Sequence, residues 1–307
     1  IDFGKASKEY INEEIDTIQK LRSDNNYLYK LSMEKIVNWI NFYINNQESV
    51  NGQSINNIYS IVGERGTGKS SFISTLQKII DSQGYLENKN ARNRSNVYVL
   101  PKIDPTIFNS RVRMIEFFVA TLKSEVDKEH KKLHFGYTKT DDDFMALEKF
   151  NKLIREIVTI LKDMRVKESI VAEKKSAVEV LQTIQDQNNF REKISDLMIT
   201  FLILVNKNQK EDYTHIALLV DDLDLVPNKH VFETLQDMFQ FLQYQKELIV
   251  FTAYREEQLN NSVIDVLISE NKQLLDEKII GMEELRKQAV SFIEKGLSRN
   301  QRVYLLI

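Results

Sequence analysis

The chain has 307 residues, 42 Lys+Arg against 45 Asp+Glu, a formal net charge of −3 and no cysteine. Without Cys it is not a disulfide scaffold, a zinc ribbon or a thiol enzyme, each of which needs sulfur as crosslink, ligand or nucleophile. At 42% hydrophobic and 28% charged residues it can bury a full core, and its near-neutral charge makes no bulk electrostatic case for a nucleic-acid partner.

The longest apolar runs, such as Met198–Val205 and Ile216–Val220, fall short of the roughly 20 residues of a bilayer span. No membrane partner is expected, and without a signal-peptide pattern the expected location is the cytoplasm. The start at Ile1 without an initiator Met and the apolar Val303–Ile307 end read as those of a fragment, with a lid and further domains expected beyond residue 307.

Residues 1–50 are expected to form an N-terminal helical segment, because Tyr27, Leu28, Leu31, Ile36, Trp39, Ile40, Tyr43 and Ile44 recur near a 3.6-residue period. A polar loop, Asn51–Asn57, leads into residues 51–307, read as one α/β domain. Its strands are predicted at Ile58–Val62, Val97–Ile103, Ile216–Val220 and Leu248–Thr252; their near-continuous apolarity fits parallel strands buried on both faces. Helices are predicted after the first strand, from Phe72, Ile73, Leu76, Ile79 and Ile80, and after the third, from Val231, Phe232, Leu235, Met238, Phe239 and Leu242.

Between the second and third strands lie about 110 residues, against roughly a dozen for a simple crossover. Four helical stretches, Met114–Val126, Asp143–Met164, Ser169–Gln185 and Phe190–Val205, make residues 109–212 a helical insertion. Phe117, Phe118, Phe150 and Phe201 sit there among aliphatic residues at helical spacing and read as core. His130 and His134, at i and i+4, lack a third ligand and an intervening Glu, so they read as a solvated face and not a zinc site.

Three of the nine glycines stand together in Gly63-Glu64-Arg65-Gly66-Thr67-Gly68-Lys69-Ser70, which satisfies G-x-x-x-x-G-K-[ST] between a predicted strand and a predicted helix. The glycines let the backbone curl so that successive N–H groups face a phosphate, and the helix start adds partial positive charge. Lys69 is assigned to the β- and γ-phosphates of ATP, the Ser70 hydroxyl to Mg²⁺, and Ser71 closes the phosphate-binding set. Downstream, Ile216–Val220 ends in Asp221-Asp222-Leu223-Asp224. At the C-terminal end of a parallel strand Asp221 is placed to hold Mg²⁺, while Asp222, or Asp224 if the turn is irregular, is placed to orient the attacking water or take its proton.

These elements resemble the AAA+ and STAND branches of P-loop ATPases, and most closely the KAP-type ATPases, whose acidic strand often reads Asp-Asp-Leu-Asp. The resemblance implies a five-stranded parallel sheet in the order 5-1-4-3-2, with Arg302–Leu306 after a helix at Met282–Leu297 as the fifth strand. It also implies Thr252, with Arg255 as a second candidate, as a polar sensor of the γ-phosphate, and Arg299 or Arg302 as an arginine offered to a neighbouring subunit. A ring or other head-to-tail self-assembly follows from that. KAP- and STAND-like ATPases with large insertions occur in bacterial antiviral systems beside an effector such as a nuclease or a nucleoside deaminase, so an ATPase of that kind is the expected activity. The alternatives are a nucleotide-gated scaffold with little turnover and a DNA-handling ATPase.

Overall fold

The computed structural model describes residues 17–23, 28–46, 55–83, 85, 96–107, 112–133, 141–170, 177–206 and 212–306. Five strands, β1 (Ile58–Gly63), β2 (Asn96–Val99), β3 (Tyr213–Val220), β4 (Leu248–Tyr254) and β5 (Arg302–Leu305), form one parallel sheet in the order β2-β3-β4-β1-β5. Counted from the other edge this is the expected 5-1-4-3-2. Every strand therefore ends on the same edge, which is where the loop after β1 and Asp221 after β3 lie.

Successive side chains of a strand point to opposite faces, and each face has its own core. On one face Tyr59, Ile61, Ala217, Leu219, Ile249, Phe251 and Ala253 pack under α2 (Lys30–Asn45) and α3 (Lys69–Asp81), with Leu21 of the short α1 (Ile18–Ser23) joining them. On the other, Ile58, Val62, Leu218, Val220, Val250 and Tyr254 pack under α4 (Met114–Leu133), α5 (Asp141–Ile170), α6 (Ala177–Asn206), α7 (Asn228–Asp237), α8 (Glu256–Glu270) and, past the short α9 (Lys272–Asp276), α10 (Met282–Gly296). Phe118, Phe150, Phe190 and Phe201 are fully buried there, each contributing on the order of 1.5–3 kcal/mol. The insertion is thus part of the main core.

Two elements differ from expectation. β2 stops at Val99 because Pro101 has no N–H to give; Leu100 and Ile103 still donate to the Ala217 and Leu219 carbonyls at 3.0 and 2.8 Å, and Ile103 makes an isolated bridge with Val220. Among the described residues the insertion shows three helices where four are expected: Ser169 belongs to the end of α5, residues 171–176 of the expected third helix lie outside the described residues, and residues 177–206 form one continuous helix. The polar stretch Asp186–Asn189 between the two expected helices contains no Gly or Pro, so the helix runs through it, with Asn188 and Asn189 exposed. The start of α4 is anchored to the end of α7: the Arg113 guanidinium grips the wholly buried Asp237 carboxylate, which also accepts the Ile115 N–H at 3.2 Å. Among the described residues no helix is long and apolar enough to cross a membrane.

Candidate functional site

The phosphate loop begins where β1 runs out. Gly63 has no room for a side chain, since a Cβ there would stand 2.5 Å from Thr67 Oγ1 and 3.0 Å from the Leu305 carbonyl oxygen of β5. The turn is closed by the Thr67 N–H and hydroxyl, which reach the Glu64 carbonyl at 3.3 and 2.9 Å. Gly66 and Gly68 then take φ of +87° and +80°, the left-handed region that a Cβ penalises. Glu64, Arg65 and Gly66 are exposed on the loop's crest.

Gly68 caps α3, and the first helical hydrogen bond runs from the Phe72 N–H to the Gly68 carbonyl at 2.8 Å. The N–H groups of Lys69, Ser70 and Ser71 therefore have no partner within the helix and point out of its start, where the helix dipole favours an anion. The Lys69 side chain folds back over the loop, its Nζ donating to the Gly63 and Glu64 carbonyls at 2.7 and 3.1 Å. It holds the loop's shape from inside. Ser70 is exposed on the first turn.

Two strands away β3 ends in Asp221, whose side chain is 2% exposed. Its N–H donates to the Ile103 carbonyl at 3.0 Å, its Oδ1 accepts the Asp222 N–H at 3.0 Å, and its Oδ2 accepts Lys102 Nζ at 2.9 Å. Lys102 was not singled out from sequence. The only signal for it is a lone cation just past the end of the strand next to the acidic one. Asp222 takes φ +53°, a conformation Asp tolerates better than most residues, and heads a single 3₁₀ turn, Leu223–Leu225. The side chain of Asp224 lies outside the described residues, as do His134 and the side chain of His130.

A hydroxyl and a carboxylate are hard oxygen donors of the kind Mg²⁺ takes. Ser70 and Asp221 fit the ion chemically, with the qualification that an ammonium group already neutralises Asp221.

The remaining expected residues are placed by register. β4 does lie between β1 and β3, but Thr252 pairs with Ser60 and Val220, two residues below the strand end, and is 0% exposed. Its hydroxyl has no hydrogen-bond partner among the described residues. Tyr254, level with Val62, and the following Arg255 stand nearer the loop. Arg302 is buried: it donates to the Leu297 carbonyl through Nε and Nη2 at 3.2 and 2.8 Å and pairs with Glu256 through Nη1. It stitches β5 to α8 and α10 within its own chain. Arg299 is exposed, held by Glu294 at 2.6 Å through Nε.

A family model described as the KAP family P-loop domain matches residues 33–283 of the chain. No curated protein matches it.

Proposed function

Because the chain belongs to the KAP family of P-loop domains, we propose that it binds ATP with Mg²⁺ at the Gly63–Ser71 loop and hydrolyses it, coupling turnover to oligomer assembly or a conformational switch in bacterial antiphage defence. The observation that carries this reading is the preformed cradle: Lys69 held over the loop by the Gly63 and Glu64 carbonyls, above outward-pointing amides at the start of α3. In use, Lys69 moves from those carbonyls to the β- and γ-phosphate oxygens, and the Lys69, Ser70 and Ser71 amides bind the anion. Ser70 and Asp221 are the residues that would hold Mg²⁺, which when bound neutralises charge on the β- and γ-oxygens. Asp222 orients the attacking water or accepts its proton.

With Arg302 committed within its own chain, Arg299 is the arginine available to an adjoining subunit, an arrangement that makes the contact heterologous and head-to-tail. The helical insertion offers a surface for a separate effector, such as a nuclease or nucleoside deaminase, and the setting is cytoplasmic. A second reading, a nucleotide-gated scaffold with little turnover, is favoured by the Lys102–Asp221 pair, which occupies the carboxylate that Mg²⁺ needs.

Multiple-turnover phosphate release and calorimetry on the full chain separate these readings. Lys69→Ala is expected to weaken ATP binding roughly tenfold or more, the size of a charge-assisted hydrogen bond to phosphate, with the fold retained. Unchanged affinity in that variant would remove the site. ATP binding without phosphate release by the wild type would select the scaffold.

A further inference from the structure

The phosphate loop is gripped from outside as well as from within. Tyr29, the residue before α2, donates its hydroxyl to the Thr67 carbonyl at 2.5 Å, 38 positions along the chain. Its ring meets Phe72 of α3 edge-on, with centroids 6.2 Å apart, and its Cε2 lies 3.8 Å from where a Cβ on Gly68 would stand. Burial pushes the phenol above its ordinary range, so it remains a donor at neutral pH.

The C=O and N–H of a trans peptide point in opposite directions. Anchoring the Thr67 oxygen on Tyr29 therefore turns the Gly68 N–H away from Tyr29, and that N–H has no acceptor among the described residues. Thr67 is held on its own side by its bonds to the Glu64 carbonyl, but Gly68 sits at φ +80° and glycine crosses between backbone wells with little steric cost, so the Gly68 side of the Thr67–Gly68 peptide has no side chain to keep it from turning. The Tyr29 hydroxyl supplies that restraint.

The far end of the restraint is firm. Met33, Ile36, Val37 and Ile40 of α2 are buried in the sheet core, and the Tyr43 hydroxyl ties the helix to the Gln245 carbonyl at 2.9 Å. The first turn, beside the loop, is less deeply packed: Leu31 is 80% exposed, and the turn's polar ties run to the short α1, from Lys30 Nζ to the Arg22 carbonyl.

Resting on the nucleotide-binding reading above, we propose that Tyr29 is a positioning residue of the phosphate loop, fixing the Thr67–Gly68 peptide so that the Gly68 N–H is offered to a nucleotide phosphate. The same bond couples the two elements in both directions. If α2 favours the binding-competent loop, a bound nucleotide must favour the docked first turn of α2 by an equal factor.

The test uses the full chain and the variant Tyr29→Phe, which keeps the ring against Phe72 and removes only the O–H. Calorimetry with Mg²⁺ and ADP should show binding weakened roughly three- to tenfold, the size of one hydrogen bond. Turnover at saturating ATP should change by less than about twofold, so the effect falls on KM and not on kcat. Hydrogen exchange supplies a readout that needs no variant: the Met33 amide, bonded to the Tyr29 carbonyl at 2.9 Å, should exchange more slowly in the wild type when ADP is bound, and Tyr29→Phe should lose that protection. Equal affinity in the two proteins, or Met33 exchange that ignores ADP in the wild type, overturns the proposal while the nucleotide reading stands on the wild type's own affinity. A wild type that binds no nucleotide overturns both.

Discussion

The phosphate loop and the acidic end of β3 share one edge of the sheet and are assembled in opposite ways. The loop is a run of consecutive residues whose shape comes from its own glycines and from Lys69 bonding back onto the Gly63 and Glu64 carbonyls. Its amides face outward. The acidic end draws its partners from distant stretches, and Asp221 is enclosed with both carboxylate oxygens engaged, one by a cation from beyond β2. The loop is ready for an anion as it stands, whereas the acidic end must share or surrender an ion pair before it can take a metal. On the proposed function, binding and turnover are therefore separable, and the two regions should answer differently to substitution.

The largest separation is expected at Asp222. Asn is as tolerant of the left-handed backbone as Asp, so Asp222→Asn at φ +53° should fold normally. It should hold ATP within about twofold of wild type and lose turnover by roughly 10² or more, the contribution of a general base or water-orienting group. Phosphate release under single- and multiple-turnover conditions measures this. Normal release would move the role off Asp222 and undo the distinction between a binding half and a hydrolytic half.

How far each half could be read beforehand follows from the same contrast. The loop is legible because most of its chemistry is local: spacing alone places the glycines, Lys69 and Ser70, and the strand and helix on either side agree. Four strands are legible because parallel strands covered on both faces are uninterrupted apolar runs, while the short fifth strand, starting at Arg302, follows from the family resemblance. Contacts between distant positions were not. Lys102 meets Asp221 across 119 positions and Tyr29 meets Thr67 across 38, and no periodicity encodes either pairing. Thr252 matched a motif position, yet register with Ser60 and Val220 sets it below the crevice. Polarity was likewise a poor guide to helix ends, since Asp186–Asn189 interrupts the apolar pattern of α6 without interrupting its backbone.

The two arginines at the start of β5 extend the comparison down the sheet, since Arg302 is level with Ser60 and Arg299 precedes the strand. Arg302 is buried and bonded to the Leu297 carbonyl, while Arg299 is exposed with one surface partner. Arg302→Ala should cost about 2 kcal/mol of stability, because the Leu297 carbonyl loses a charged donor in a buried place and Glu256, being partly exposed, recovers water. Arg299→Ala should stay within about 0.5 kcal/mol. Urea denaturation reads both as a shift in midpoint at constant slope. Equal, small shifts would mean that Arg302 is not the internal stitch its contacts imply and would return it to the set of residues available to a neighbour.

A further effect is expected at Lys102, and it tests whether the closed ion pair governs metal entry. An ammonium at 2.9 Å from Oδ2 competes with any cation for the Asp221 carboxylate. Lys102→Met keeps most of the aliphatic stem and removes the charge, leaving Asp221 enclosed with one backbone donor. An unpaired buried carboxylate is costly, so the variant should be less stable than the wild type without divalent metal and should recover part of that loss when metal is added. The affinity for Mn²⁺ alone, used as a calorimetric probe in the absence of nucleotide, should rise about tenfold, the size of one charge-assisted hydrogen bond no longer standing in the way. ATP affinity without metal should hardly move, because the loop does not draw on Lys102. If Mn²⁺ binds both proteins alike and rescues neither, the pair serves only to hold β2 against β3, and the acidic end would be no more closed to metal than the loop is to phosphate.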